Sequence, residues 1–300
     1  MAEIRLDGRV AVITGAGGGL GKTYALEFAR RGAKVVVNDL GGRADGSGAG
    51  HSMADVCVEE IRAAGGSAVA NYDSVSTPEG GAAIIQSAVD AFGRVDIVVN
   101  NAGILRDKSF LKLEPQDLDA VLKVHLEGAF YVSQPAFRLM KDQGYGRIVF
   151  TSSAAGIFGN FGQTNYGAAK MGLVGLMHVL AVEGAKYGIR CNAIAPTART
   201  RMTEDLLGPL AESLAPETVT PLVVYLCSEE SELTHEVYSV GGGRFARVFV
   251  GLTRGWLAGK AKVASAEEVR DHIDQIRDPE GYTIPAGIGD ELRAIAAALR

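Results

Sequence analysis

The feature that most constrains this chain is the run Thr14-Gly15-Ala16-Gly17-Gly18-Gly19-Leu20-Gly21, which ends an apolar β-branched stretch, VAVIT, and opens a helical pattern. Glycines in such a turn let the backbone double back tightly and bring its N–H groups against a pyrophosphate, which then sits on the positive end of the following helix. A glycine-rich run alone is common in loops, so the context carries the argument. A second apolar run, KVVVN, ends in Asp39, eighteen positions beyond Gly21, well placed for a ribose diol. A carboxylate there repels a 2′-phosphate, and no Lys or Arg precedes Gly19 in the loop, which selects NAD over NADP. The alternative for Asp39 is the cap of a turn before the next glycines. Gly15, Gly19, Leu20, Gly21 and Asp39 are therefore candidate cofactor residues. Asp73, ending NYD, can accept from an adenine amino group or be a plain loop acid.

The rest of the chain keeps the same rhythm. After the strands Val10–Thr14 and Lys34–Asn38, short apolar runs at 67–72, 95–100, 147–152, 190–195 and 237–240 alternate with helical patterns. The helices fall at 22–31, 53–64, 79–92, 115–141, 164–187 and 216–228. Continuous apolar strands separated by helices specify an α/β fold of the Rossmann type. The expectation is a doubly wound, parallel, seven-stranded sheet with helices on both faces. Two segments break the rhythm. Residues 40–52, LGGRADGSGAGHS, form a glycine-rich insert between the second strand and its helix, read as a surface loop. Beyond Gly243 comes a tail with the only Trp, Trp256, and helical pieces at 266–277 and 290–299. Residues 1–243 are expected to form one NAD-binding domain that includes the catalytic site, and 244–300 a helical extension rather than an independent domain.

Composition sets the outer limits. With 300 residues and 47% hydrophobic content, the chain can bury roughly three quarters of its unfolded surface without staples. A net charge of −5 argues against nucleic acid or an anionic membrane as partner. Cys57, Cys191 and Cys227 lie far apart and match neither a zinc pattern nor a CxxC pair, so no metal is expected. No signal peptide, membrane-length apolar run or C-terminal address is read, and the expected location is cytoplasmic.

The chemistry is read from GQTNYGAAKMGLVGL. Tyr166 and Lys170 stand four apart on a helix and share a face. A phenol is a poor base at neutral pH, and a neighbouring ammonium favours its phenolate. Tyr-x-x-x-Lys alone is an ordinary pair of helix residues. Ser153, thirteen residues before Tyr166 at the end of RIVFTSS, adds a hydroxyl that can hold the same substrate oxygen.

TGAGGGLG, Asn100-Asn101-Ala102-Gly103, the serine thirteen before the tyrosine, and YGAAK together resemble the short-chain dehydrogenase/reductase family, from Arg9 to about Gly243. The resemblance implies hydride transfer at the nicotinamide, with Ser153 polarising the oxygen, Tyr166 moving the proton, and Lys170 binding the ribose and tuning Tyr166. It also places Asn100, Ala102 and Gly103 beside the cofactor. Where most members carry an Asn, this chain has His125 in KVHLEGAF; it either supports the proton relay and Lys170 or is a histidine satisfied by a backbone carbonyl. Pro196-Thr197 replaces the usual Pro-Gly, leaving the nicotinamide contact of Thr200 open.

Within that family, His125, the NDLGG insert, NNAGILRDKSF, GIFGNFGQTNY, CNAIAP and the tail resemble the dehydrogenase domain of peroxisomal multifunctional enzymes of type 2. That resemblance implies oxidation of (3R)-hydroxyacyl-CoA to 3-oxoacyl-CoA in β-oxidation, with activity on 17β-hydroxysteroids as the alternative. Arg106, Lys108, Arg199 and Arg201 can meet CoA phosphates or be surface charges, and the 156–162 stretch can line an acyl or steroid channel or belong to the core. A dinucleotide-binding sensor without turnover is a third class, disfavoured because binding alone does not require Ser153, Tyr166 and Lys170 together. The family also implies a homodimer or homotetramer built on helices 115–141 and 164–187.

Overall fold

The computed structural model describes residues 2–200, 208–260 and 262–299. Strands β1 (Val10–Thr14), β2 (Lys34–Asn38), β3 (Ser67–Asn71), β4 (Ile97–Asn100), β5 (Gly146–Thr151), β6 (Ile189–Pro196) and β7 (Glu236–Gly241) pair in parallel, in the order 3-2-1-4-5-6-7. The centre of the sheet is in tight register, with Val12 opposite both Val36 and Val98. All five β1 residues are buried, as expected for strands covered on both faces.

Helices α1 (Gly19–Arg30), α2 (Ser52–Ala63), α3 (Pro78–Phe92), α4 (Pro115–Leu122), α5 (Gly128–Gln143), α6 (Ala154–Phe158), α7 (Thr164–Gly184) and α8 (Thr220–Cys227) flank the sheet. Tyr24 and Phe28 of α1 are fully buried against β1 and β2 neighbours such as Ile13 and Val37, each burial contributing about 1.5–3 kcal/mol. The strand order reverses between β1 and β4. That reversal opens a crevice beyond the carboxyl ends of the strands, the usual ligand position in such sheets.

Three expectations need correction. The sheet has eight strands rather than seven, because Arg244–Val248 forms β8 beside β7. Only Gly242 and Gly243 connect the two strands, both with positive φ (57° and 79°), so β8 returns antiparallel through a tight hairpin. The boundary expected at 243/244 falls inside this hairpin; the compact units are Met1–Arg247 and Val248–Arg300. Secondly, the single helix expected over 115–141 is α4 and α5 joined by a turn of π-helix, Lys123–Glu127. Such turns insert one residue into the helical register and recur at functional sites; this one carries His125. Thirdly, the stretch Thr164–Tyr187 is long and apolar enough to cross a membrane, although no such run was expected. Part of its apolar length is used inside the protein: Ala169, Leu173, Val174, Leu176 and Met177 are buried beside β5 and β6.

The unit Val248–Arg300 holds α9 (Ala266–Asp271), α10 (Ile273–Arg277) and α11 (Ile288–Ala298). Ser265 and Glu268 form a reciprocal cap at the start of α9, and Trp256 stacks on His272 at 4.0 Å.

Candidate active site

A cavity of about 540 Å³ lies beyond the carboxyl ends of β1, β2, β4, β5 and β6, lined among others by Gly15, Asp39, Asn101, Ser153 and Pro196. Its volume falls in the range of ordinary ligand sites.

The nucleotide end is built from backbone. Gly15 has φ +63°, and a Cβ there would stand 2.9 Å from the Ala102 Cα. A side chain at Gly21 would collide with the Gly15 carbonyl, so Gly21 shapes the turn from behind without lining the cavity. Gly15, Gly19 and Leu20 do line it, at the start of α1. Asp39 accepts from the Gly17 N–H (2.8 Å) and the Gly41 N–H (2.7 Å). It thus caps a turn and faces the cavity at once. Asp73 lines the cavity and accepts from the Asn71 side chain at 2.8 Å. Thr200 lines it near Gly19, and Arg199 is exposed. Arg201 lies outside the described residues.

The asparagine pair is corrected. Asn100, the last residue of β4, is buried and donates to Ser133 Oγ of α5 (3.0 Å), away from this cavity. Asn101 takes its place, donating from its side chain to the carbonyls of Thr14 (3.0 Å) and Gly15 (3.2 Å). Thr14 Oγ1 accepts the backbone N–H groups of Asn101 and Ala102, so the loop through Ala102 and Gly103 is tied to the glycine turn. The alternation of side chains along a strand was the available signal: of two successive asparagines only one can face the cleft.

At the chemical end, β5 delivers Ser153 and α7 delivers Tyr166 and Lys170 to the same cavity wall. Ser153 also caps α6, accepting from the Ala155 N–H at 3.1 Å. Lys170 is buried, 3% exposed, and donates to the Thr151 carbonyl at 2.6 Å; burial brings its pKa down to about 7. Lys170, expected to lower the Tyr166 pKa, does not offset the effect of burial there. Burial raises the phenol above its ordinary value, the Ser153 hydroxyl works against the rise, and the Asp107 charge adds to it. Lys170 shares the low-dielectric environment and sits 5.4 Å from the ring centre.

His125 is 3% exposed and stands edge-on to Tyr166, with ring centres 5.1 Å apart. Its Nε2 lies 3.0 Å from the Ile104 nitrogen and 2.8 Å from the Ile104 oxygen, while Nδ1 finds no partner among the described residues. Burial, and then the Lys170 charge, push its pKa well below the ordinary value, so the ring is neutral. A Cβ on Gly103 would run into this imidazole. His125 is thus satisfied by the Ile104 backbone and packs against Tyr166.

Two of the four cations expected for CoA, Arg106 and Lys108, are already paired. Lys108 bonds Asp117 (2.7 Å) and Glu114 (3.1 Å), and Arg106 lies 3.6 Å from Asp117. Their first role is to fix the loop after β4 to α4. Asp107 accepts from Gln163 at 2.6 Å, at the N-terminus of α7.

Comparison with known proteins places the chain in a family. The short chain dehydrogenase model matches residues 9–208. A short-chain type dehydrogenase/reductase of Mycobacterium tuberculosis is 55% identical over 277 residues, covering 92% of this chain and 96% of that protein. The solved full-length peroxisomal multifunctional enzyme type 2 of Drosophila melanogaster is 41% identical with a TM-score of 0.84, covering 99% of this chain but 50% of that one. A 7α-hydroxysteroid dehydrogenase complexed with NADH and 7-oxo glycochenodeoxycholic acid is 30% identical, TM-score 0.72, covering 80% of this chain and 95% of that one. The chain belongs to the short-chain dehydrogenase family and is an oxidoreductase of CH–OH groups that works with a nicotinamide dinucleotide.

Proposed function

We propose that this enzyme uses NAD to oxidise (3R)-hydroxyacyl-CoA thioesters to 3-oxoacyl-CoA. The observation that carries the reading is the likeness to a peroxisomal multifunctional enzyme over 99% of the chain, which takes in the insert at 40–52 and the extension past Val248. The generic family match ends at 208. The hydride acceptor is supplied by the nicotinamide when the cofactor is bound. The glycine turn and the start of α1 hold the pyrophosphate, and Asp39 addresses the adenosine ribose. Ser153 holds the substrate oxygen, and Tyr166 Oη takes the hydroxyl proton as the carbonyl forms. Neutral His125 keeps Ile104 and the face of Tyr166 in place.

Asp39, fixed by two backbone N–H groups at the end of β2, supports NAD over NADP. Arg43 also lines the cavity, so the preference is tested directly by comparing kcat/KM for the two cofactors; an equal ratio overturns it. Substrate class is tested by following NADH formation with a (3R)-hydroxyacyl-CoA, its (3S) partner and a 17β-hydroxysteroid. Turnover of the (3R) thioester alone is the expected result. A hydroxysteroid activity is the second reading, favoured by the bile-acid-bound neighbour and by the exposed Phe158 at the end of α6 and Phe161 beyond it; turnover of the steroid alone would replace the thioester reading. Exposed Phe130 on α5 and Met171, Val179 and Val182 on α7 support a homodimer or homotetramer, which sedimentation checks; a monomer at all concentrations would contradict it.

A further inference from the structure

The glycine-rich insert after β2 is an ordered loop with its own bonds. Its neck is closed by the Gly50 N–H donating to the Leu40 carbonyl (2.9 Å), and its tip by the Arg43 N–H on the Ser47 carbonyl (2.8 Å). Asp45 Oδ1 accepts from the Ser47 N–H (2.9 Å) and hydroxyl (2.7 Å), stiffening the tip further. The near end of the insert begins at Asp39, which grips Gly17 and Gly41 together.

The far end reaches the other side of the cleft. The Ala44 carbonyl accepts the Leu105 N–H at 2.9 Å, and the Asp45 carbonyl accepts from Arg106 Nε at 3.1 Å. Gly46, with φ +85°, lies so close that a Cβ would stand 3.1 Å from Ile104 Cδ1 and Cγ2. Leu40, Gly42, Arg43, Ala44 and Gly46 line the cavity between these ends. Past Arg106 the chain continues to Asp107, bonded to Gln163 three residues before Tyr166. The inner side of Ile104 is held by His125.

We propose that this insert is a cross-strap that couples the two ends of the cleft: occupation of the ribose site at Asp39 sets the position of the loop Ile104–Arg106 and, through Asp107 and Gln163, of the start of α7. The strap is a positioning element and touches no reacting atom. Its consequence is positive coupling between cofactor and substrate. By thermodynamic reciprocity the alcohol substrate must tighten NADH by the same factor that NADH tightens the alcohol. A loop that is competent only a fraction of the time weakens apparent substrate affinity by that fraction. The inference rests on the family's reaction and holds whichever alcohol is the substrate.

The test is a binding cycle in the full-length enzyme. NADH fluorescence is titrated with and without saturating (3R)-hydroxyacyl-CoA, a dead-end pair because both partners are reduced. If the wild-type enzyme oxidises a different secondary alcohol, that alcohol is used, so an error in the thioester reading shows in turnover and not in this cycle. Gly41 and Gly50 are already in contact, so residues 42–49 can be excised and the neck rejoined. Wild type should show NADH tightened on the order of tenfold by the alcohol. The excised form should bind NADH with that tightening abolished, and its substrate KM should rise about tenfold with kcat changed less. A Gly46→Val variant, which pushes the strap off Ile104 without shortening the chain, should lose coupling in the same direction and guards against a folding defect in the excised form. Undiminished coupling in either folded variant overturns the proposal, as does a wild-type enzyme with no coupling at all.

Discussion

The two ends of the cleft solve different problems with different materials. The nucleotide end is made of main chain: Gly15 and Gly21 leave room, Thr14 and Asn101 lace two loops together, and both oxygens of Asp39 accept from backbone N–H groups. The side chains of Thr14, Asp39 and Asn101 are paired with backbone there before any ligand arrives. The chemical end is made of side chains held out of their ordinary states. Lys170 is buried with a pKa of about 7, Tyr166 is pushed up, and His125 Nδ1 and Thr151 Oγ1 find no partner among the described residues. Binding needs complementarity that is satisfied in advance, whereas proton transfer needs groups whose protonation is poised, and that poise costs stability locally.

If that division holds, substitutions at the two ends should separate binding from turnover. The largest effect is expected for Tyr166→Phe, which removes one hydroxyl and keeps the ring against His125. General acid–base catalysis of this kind is worth about 10²- to 10⁴-fold. The variant should therefore lose kcat by that order while NADH affinity, read by fluorescence titration, stays within about twofold. Loss of NADH affinity in parallel with kcat would erase the distinction.

Gly21→Ala makes the opposite cut. A methyl there meets the Gly15 carbonyl, and overpacking of this kind costs about 1–3 kcal/mol. Thermal unfolding should move down, and the NADH titration should weaken at the same time, although residue 21 lines no part of the cavity. An unchanged NADH affinity would mean that the glycine turn is not the binding device.

The two ends also differed in how much of them the sequence disclosed. The cradle was legible because its signal is local: a strand, a glycine run and a helix in succession, answered by Asp39. The parallel sheet was legible for the same reason, through uninterrupted runs such as VAVIT and IVVN. Asn100 and Asn101 were exchanged because a doublet carries no sign of which member faces the cleft until the register of β4 is known. The π turn at His125 left no trace in a pattern that reads as one helix over 115–141, since a single inserted residue barely disturbs apolar periodicity. β8 was missed because RFARV lacks clean alternation and exists as a strand only by pairing with β7. The electrostatics of Tyr166 depend on how deep it and Lys170 lie. Spacing four along a helix shows that the two are neighbours, and says nothing of their burial.

A smaller effect tests the paired state of Asp39. Asp39→Ala removes a charge and two acceptors from Gly17 and Gly41. Losing one charge-assisted hydrogen bond costs on the order of 1.5 kcal/mol, so the ratio of kcat/KM for NAD over NADP should fall about tenfold. The pH profile of turnover should stay where it was, because no titrating group at the chemical end has been removed. A moved pH profile would show that the ends are coupled electrostatically, a different link from the mechanical one through the strap.

The finest cut is at Ser153. Oxidation requires the phenolate of Tyr166 to receive a proton, so its rate should rise with pH toward the folded pKa of that phenol, which burial holds above the ordinary value. The Ser153 hydroxyl pulls in the other direction. Removing it in Ser153→Ala takes away the lowering influence, and the rising limb of the oxidation profile should move to more alkaline pH. Reduction, which needs the protonated phenol, should extend its active range in the same direction. Burial alone brings Lys170 down to about 7, with no part played by Ser153, so a limb near neutrality should stay in place while the alkaline one moves. A variant that merely loses rate, with both limbs unmoved, would show that Ser153 only holds the substrate oxygen. The poise of the chemical end would then rest on burial alone.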